Sequence, residues 1–245
     1  MEQPERTTWR RRPALVLKRG IDVAVALVML VLSLPVTGAV ALLIRWTQGP
    51  PVFFRHERPG LHGRPFRLIK FRTMREPRGD EVWYASDAQR VTALGRFLRA
   101  TSIDELPELL NVLRGQMSLV GPRPLLTEYL DYYSPEQARR HEVRPGVTGW
   151  AVVNGRHVLQ FDDRLALDVW YVDNWSLRLD AKIIWMTVRQ LLRRTDVAVT
   201  QDLAEIGFPL PAVPGAGTAQ SPTSTGPSST PPSSTPPASA GRGEP

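Results

Sequence analysis

The chain has 245 residues, with 31 Lys and Arg against 24 Asp and Glu, giving a formal net charge of +7 that favours anionic partners: lipid headgroups, nucleotides or nucleic acid. It has no cysteine, which excludes a disulfide framework, a thiol nucleophile and a cysteine-based zinc site. The histidines His56, His62, His141 and His157 show no H-E-x-x-H spacing, which argues against a zinc hydrolase and leaves each as a surface or hydrogen-bonding residue.

Residues 1–19 form a polar, basic arm with Arg6, Arg10, Arg11, Arg12, Lys18 and Arg19, suited to an anionic cytoplasmic leaflet. Residues 20–48 form a membrane segment around the apolar run Ile21–Ile44, whose only charge is Asp22. Three readings compete for it. A signal peptide fits poorly, because the run is too long and continues through Leu42-Leu43-Ile44. A straight transmembrane helix has the length but lacks a basic-poor flank, since Arg45, Arg55, Arg58, Arg64 and Arg67 follow it. A re-entrant hairpin broken near Pro35 returns both basic flanks to one side. Proline removes a helix hydrogen bond there, and Ser33 and Thr37 can serve the freed backbone groups.

Residues 49–200 are read as a folded domain of mostly helical α/β class. Gly49-Pro50-Pro51 predicts a turn, Val52–Phe54 and Phe66–Phe71 a strand hairpin around the basic loop Arg58–Arg64, and Arg75–Gln89 a polar loop. From Thr92 the pattern is helical, with Leu94, Phe97 and Leu98 on one face, then Leu106, Leu109, Leu110 and Leu113. Leu125–Arg140 predicts a helix interrupted at Ser134-Pro135, Arg144–Trp150 a turn-rich loop, and Asp162–Asn174 a helix. Leu179–Arg194 predicts a basic amphipathic helix that lies on the membrane interface or packs on the core. Residues 201–245 form a flexible tail, rich in Pro, Ser and Thr from Gly215 onward, expected to be disordered.

Asp104-Glu105 is the most informative pair. It is preceded by Arg96 and Arg99 and followed by Gly121-Pro122-Arg123-Pro124. Two carboxylates among arginines suit nucleophilic or metal-assisted work on an anionic substrate. A plainer reading makes Ser102 an N-cap, Glu105 its capping-box partner and Asp104 a charge favoured by the helix dipole.

Lys18-Arg19-Gly-Ile-Asp22, Gly49–Phe54, Glu57–Gly63, Lys70–Met74, Leu98-Arg99, Asp104–Pro107, Gly121–Pro124, Arg144–Trp150, Asn154–Arg156 and Leu167–Val172 occur in one order. This ordered set resembles the bacterial sugar transferases, the monotopic phosphoglycosyl transferases acting on polyprenyl phosphate. The resemblance runs from Lys18 to Arg194.

The resemblance implies a re-entrant membrane helix with both ends cytoplasmic and an α/β catalytic domain on the inner leaflet of the bacterial cytoplasmic membrane, in contact with its phospholipids. It implies transfer of a sugar-1-phosphate from a UDP-sugar to polyprenyl (undecaprenyl) phosphate, with Mg²⁺ and release of UMP, at the first membrane step of exopolysaccharide or glycoconjugate synthesis. By resemblance Asp104 is the nucleophile that carries a covalent phosphosugar, and Asp104 and Glu105 hold the metal. Lys70, Arg72, Arg99, Arg123 and Arg156 face the phosphates or nucleotide. Asp168 either orients one of these arginines or is a simple helix-surface acid. Two positions depart from the family pattern: Leu34-Pro35 stands for Ser-Pro, with Ser33 one place earlier, and Gln116 stands for an acid. The competing reading is a non-catalytic membrane-anchored interaction protein, which needs no buried acid dyad. No nucleic-acid module is recognised. Homo-oligomer formation stays open.

Overall fold

The computed structural model describes residues 8–76, 87–155 and 160–193. Arg156, His157, Arg194 and the expected tail lie outside the described residues.

Helix α1, Thr8–Thr47, contains the whole apolar run. Among the described residues it is the one helix long and apolar enough to cross a membrane. Its 40 residues rise about 60 Å, against a hydrocarbon thickness of about 30 Å. The helix runs through Pro35 as one element, so the break expected near Pro35 is not seen. Proline cannot donate to the carbonyl of Val31. Nearby, Ser33 Oγ donates to Leu30 O (3.0 Å) and Thr37 Oγ1 to Leu34 O (3.1 Å); neither bond goes to the Val31 carbonyl that the proline leaves without its donor. Ser33 thus supplies a back-bond one place ahead of Leu34.

Both halves of α1 pack on the same domain, while Leu27, Val28, Leu32, Leu34 and Leu42 are exposed, as for a helix solvated by lipid. The first half is held by buried polar groups. Lys18 Nζ donates to Asp180 Oδ2 (2.7 Å) and Val120 O (3.1 Å). Asp22 accepts from Ser118 Oγ (2.7 Å) and Leu119 N (3.2 Å). Tyr171 Oη and Trp175 Nε1 also donate to Asp180, at 2.7 and 3.1 Å. In the second half, Val40 and Ile44 pack with Phe71 and Leu98.

Strands β1, Phe53–Pro59, and β2, Pro65–Phe71, form the expected antiparallel hairpin, with Phe54 opposite Lys70. A short helix α2, Asp87–Arg90, precedes α3, Ala93–Ala100, whose Thr92 cap accepts from Gly95 N at 2.9 Å. A 3₁₀ turn, Ile103–Glu105, leads into α4, Glu108–Leu113. Strand β3, Ser118–Val120, pairs in parallel with β4, Gly146–Thr148. This second sheet corrects the reading of Arg144–Trp150 as loop: three residues are too few to show alternation.

The single interrupted helix expected over Leu125–Arg140 is instead three short pieces. They are a 3₁₀ turn at Thr127–Tyr132, helix α5 at Pro135–Ala138 and a 3₁₀ turn at Arg139–Glu142. Ser134 starts α5 through a reciprocal capping box with Gln137, and Pro135 opens its first turn. Helices α6, Trp150–Gly155, α7, Phe161–Asn174, and α8, Leu177–Arg193, complete the domain. The main core joins Phe66 and Leu68 of β2, Leu109 and Val112 of α4, Leu119 and Val120 of β3, Tyr171 of α7 and Ile183 of α8, with Ala26 of α1. On α8 the outer face bearing Trp185, Val188 and Leu192 is exposed, with the Arg189 guanidinium over the Trp185 ring.

Candidate active site

Three elements bring the charged residues together. β2 carries Lys70 near its end, the 3₁₀ turn carries Asp104 and Glu105, and the segment after β3 carries Arg123. Glu108, at the start of α4, joins them. Lys70 Nζ lies 3.0 Å from Oε1 of Glu105 and 3.0 Å from Oε1 of Glu108. Arg123 Nη2 lies 2.6 Å from the same Glu105 oxygen.

The two acids of the pair differ in their surroundings. Glu105 accepts from two cations, whereas Asp104, 8 % exposed, makes no hydrogen bond or ion pair among the described residues. Burial first, and the neighbouring Glu105 second, push the Asp104 carboxyl above its ordinary value, while Lys70, Arg123 and Arg99 pull it down. Arg123 holds its proton more tightly than usual, chiefly because of Glu105. Burial raises Glu108 to about 7, against the pull of Lys70.

This geometry corrects the capping-box reading. Ser102 sits in the left-handed region (φ 55°) with no side-chain cap, and Glu105 turns to Lys70 and Arg123 instead. Asp104 lies in a 3₁₀ turn ahead of α4, not in the first turn of an α-helix.

The arginines are held at several levels. Arg99 Nε donates to Thr73 Oγ1 at 3.0 Å, and α3 approaches so closely that a Cβ on Gly95 would collide with the Thr73 backbone. Arg123 leaves β3 at Gly121, whose backbone crosses that of Gly146 with no room for a Cβ. Its carbonyl accepts from Arg140 Nη2 at 2.7 Å. Arg140 is buried and pairs with Asp168 Oδ2 at 2.6 Å, and Tyr133 Oη lies 3.2 Å from its Nη1. Asp168, 2 % exposed, is therefore not a helix-surface acid: it fixes the Pro-Arg-Pro segment through Arg140. Arg140 is 28 positions from Asp168, so no local signal in the sequence announces the pair.

Arg72 is not brought to the acid pair. Its guanidinium donates to the carbonyls of Gln48 (2.7 Å), Gly49 and Pro50 (3.2 Å), clamping the chain where α1 ends. Gln116 also lies outside the cluster. Its Oε1 accepts from Asn111 Nδ2 (2.7 Å), and Asn111, fully buried, bonds Arg67 O and Ile69 N of β2. A carboxylate at position 116 would accept the same bond, so the departure from the family pattern leaves the joint between α4 and β2 intact. Glu108 carries no motif of its own; an acid opening an apolar run, four residues after Asp104, is the signal in the sequence that marks it.

The donor set can be tested against Mg²⁺. Among the described residues, no three His, Cys, Asp or Glu converge as a closed metal cage. Mg²⁺ in phosphoryl-transfer sites takes one or two carboxylates and completes its shell with water and substrate phosphates, and Asp104-Glu105 fits that pattern.

Residues 13–194 match the family model described as bacterial sugar transferase. The chain belongs to this family. The sugar transferase is 51% identical over 178 residues to the uncharacterized sugar transferase EpsL of Bacillus subtilis, covering 73% of this chain and 88% of the relative. It is 47% identical over 185 residues to the UDP-glucose:undecaprenyl-phosphate glucose-1-phosphate transferase of Caulobacter vibrioides, covering 71% and 69%. It is 36% identical over 202 residues to the undecaprenyl-phosphate galactose phosphotransferase of Salmonella typhimurium, covering 75% and 42%. Every charged residue of the cluster in this sugar transferase falls inside the matched region.

Proposed function

We propose that this sugar transferase moves a hexose-1-phosphate from a UDP-sugar to polyprenyl phosphate through a covalent intermediate on Asp104. The observation that carries the reading is the asymmetry of the acid pair. Asp104 is a buried carboxylate with no partner to displace, beside a Glu105 already engaged by Lys70 and Arg123. The names of the Caulobacter and Salmonella relatives, which give glucose-1-phosphate and galactose transfer to undecaprenyl phosphate, support the substrate class.

In the first step an Asp104 carboxylate oxygen attacks the sugar-bearing phosphorus. The bond from that phosphorus to the bridging oxygen breaks, and UMP leaves with the electron pair. In the second step a phosphate oxygen of polyprenyl phosphate attacks the same phosphorus, the Asp104 O–P bond breaks and the free carboxylate returns. The sugar–oxygen bond is untouched throughout. Two displacements let a soluble and a lipid substrate use one centre in turn. Arg99 and Arg123 reduce the repulsion between the Asp104 carboxylate and the diphosphate, and Arg123 suits bidentate phosphate binding. Glu105, with Asp104 beside it, would hold Mg²⁺, which when bound neutralises charge on the departing phosphate. Arg156 keeps the nucleotide-facing role that the family resemblance implies.

The membrane reading is a re-entrant α1 with both ends and the catalytic domain on the cytoplasmic side. Its support is that Lys18 and Asp22 at one end, and Val40 and Ile44 at the other, pack on one domain.

The test is UMP release by the purified chain in nanodiscs with undecaprenyl phosphate, Mg²⁺ and a panel of UDP-sugars. Turnover is expected with at least one UDP-hexose, and none with any sugar overturns the reading. Asp104→Asn is expected to abolish both transfer and the trapped phosphosugar adduct; full activity in that variant refutes the nucleophile assignment.

A further inference from the structure

The least explained group in the cluster is Glu108. Its side chain is 2 % exposed at the start of α4, and Lys70 Nζ stands midway, 3.0 Å from its Oε1 and 3.0 Å from that of Glu105. The Lys70–Glu108 contact is at ion-pair distance and is buried on the glutamate side. The Glu105 oxygen has a second cation, Arg123, at 2.6 Å. A divalent cation arriving on Glu105 repels the ammonium already there. With no other acceptor, Lys70 either resists the metal or is left as an unpaired, poorly solvated charge.

We propose that Glu108 is a positioning residue that takes over Lys70 when Glu105 engages the divalent cation. The ammonium then moves between two carboxylates already within reach, rather than from a carboxylate into a poorly solvated space. Glu108 thereby favours metal entry at Glu105 while keeping Lys70 beside the reacting phosphate. The inference rests on the reading of Asp104-Glu105 as the metal-holding pair.

The test uses Mn²⁺ as the probe. Its binding to the purified chain in detergent is followed by loss of the free-ion electron paramagnetic resonance signal, without substrate. Glu108→Gln leaves Lys70 wholly on Glu105 and is expected to weaken Mn²⁺ binding about tenfold. Glu108→Asp keeps the charge but withdraws the oxygen, and is expected to fall between wild type and Glu108→Gln. Adding Lys70→Met to Glu108→Gln removes the competing ammonium and is expected to restore affinity, which a merely structural role for Glu108 does not predict. Unchanged affinity in a folded Glu108→Gln protein, wild-type affinity in Glu108→Asp, or no recovery in the double variant overturns the inference. Glu105→Gln and Asp104→Asn separate this failure from that of the underlying reading: if Mn²⁺ binding is indifferent to both, the acid pair does not hold the metal.

Discussion

Asp104 and Glu105 are adjacent in sequence and opposite in circumstance. Glu105 is tied into ion pairs from two elements, whereas burial and the Glu105 charge disfavour ionisation of Asp104. A carboxylate that is poorly stabilised and not hydrogen-bonded is a better nucleophile than one shared with two cations. Glu108 makes a separate prediction. Its folded value is raised from 4.5 to about 7, so between those values the folded chain holds a proton that the unfolded chain has released. Stability from this group is therefore fully present below pH 4.5 and is lost as pH rises toward about 7, by up to about 3 kcal/mol. Thermal unfolding in detergent at pH 5 and pH 8 checks this. Glu108→Gln is expected to flatten the profile, and an unaltered slope in that variant contradicts the assignment.

At the scale of elements, α1 is joined to the domain by a carboxylate rather than by apolar packing alone. Asp180 receives Lys18, Tyr171 and Trp175 in a nearly dry setting. Asp180→Ala removes one partner of a buried ion pair and is expected to cost about 3–5 kcal/mol, read as a lower unfolding temperature in detergent. A change under about 0.5 kcal/mol, the scale of an ordinary surface substitution, speaks against the joint. The hairpin, α7 and α8 were legible in the sequence because each is long enough to show its period. The acid pair was legible because neighbouring charges stand out. The parallel pairing of β3 with β4 was not, being set by glycines that let two loops cross, nor was the Arg140–Asp168 brace, which exists only once α7 has docked. The family resemblance places Arg72 with the substrate-facing residues, and a basic residue two places from Lys70 carries no mark in the sequence of which partner it serves. Alternation alone would put residues 70 and 72 on one face, but β2 ends at Phe71, and Lys70 meets the acids while Arg72 donates to the carbonyls at the end of α1.

For the whole molecule, topology is the open quantity that a simple measurement decides. Because the chain has no cysteine, each introduced thiol reports on one place. Arg10→Cys and Arg55→Cys are both expected to react only with a reagent on the cytoplasmic side, and labelling from opposite sides rules out the re-entrant arrangement. The clamp at the end of α1 has one more consequence. Lys70 faces the acids, Phe71 packs with Ile44, and Arg72 grips the last carbonyls before Pro51, so three consecutive residues run from the acid cluster to the end of α1. On the membrane reading proposed above, these charges are tied to the height at which the helix floats: a bilayer that lifts or sinks α1 would carry them with it, and the reach required of a long-chain phosphate would change in step.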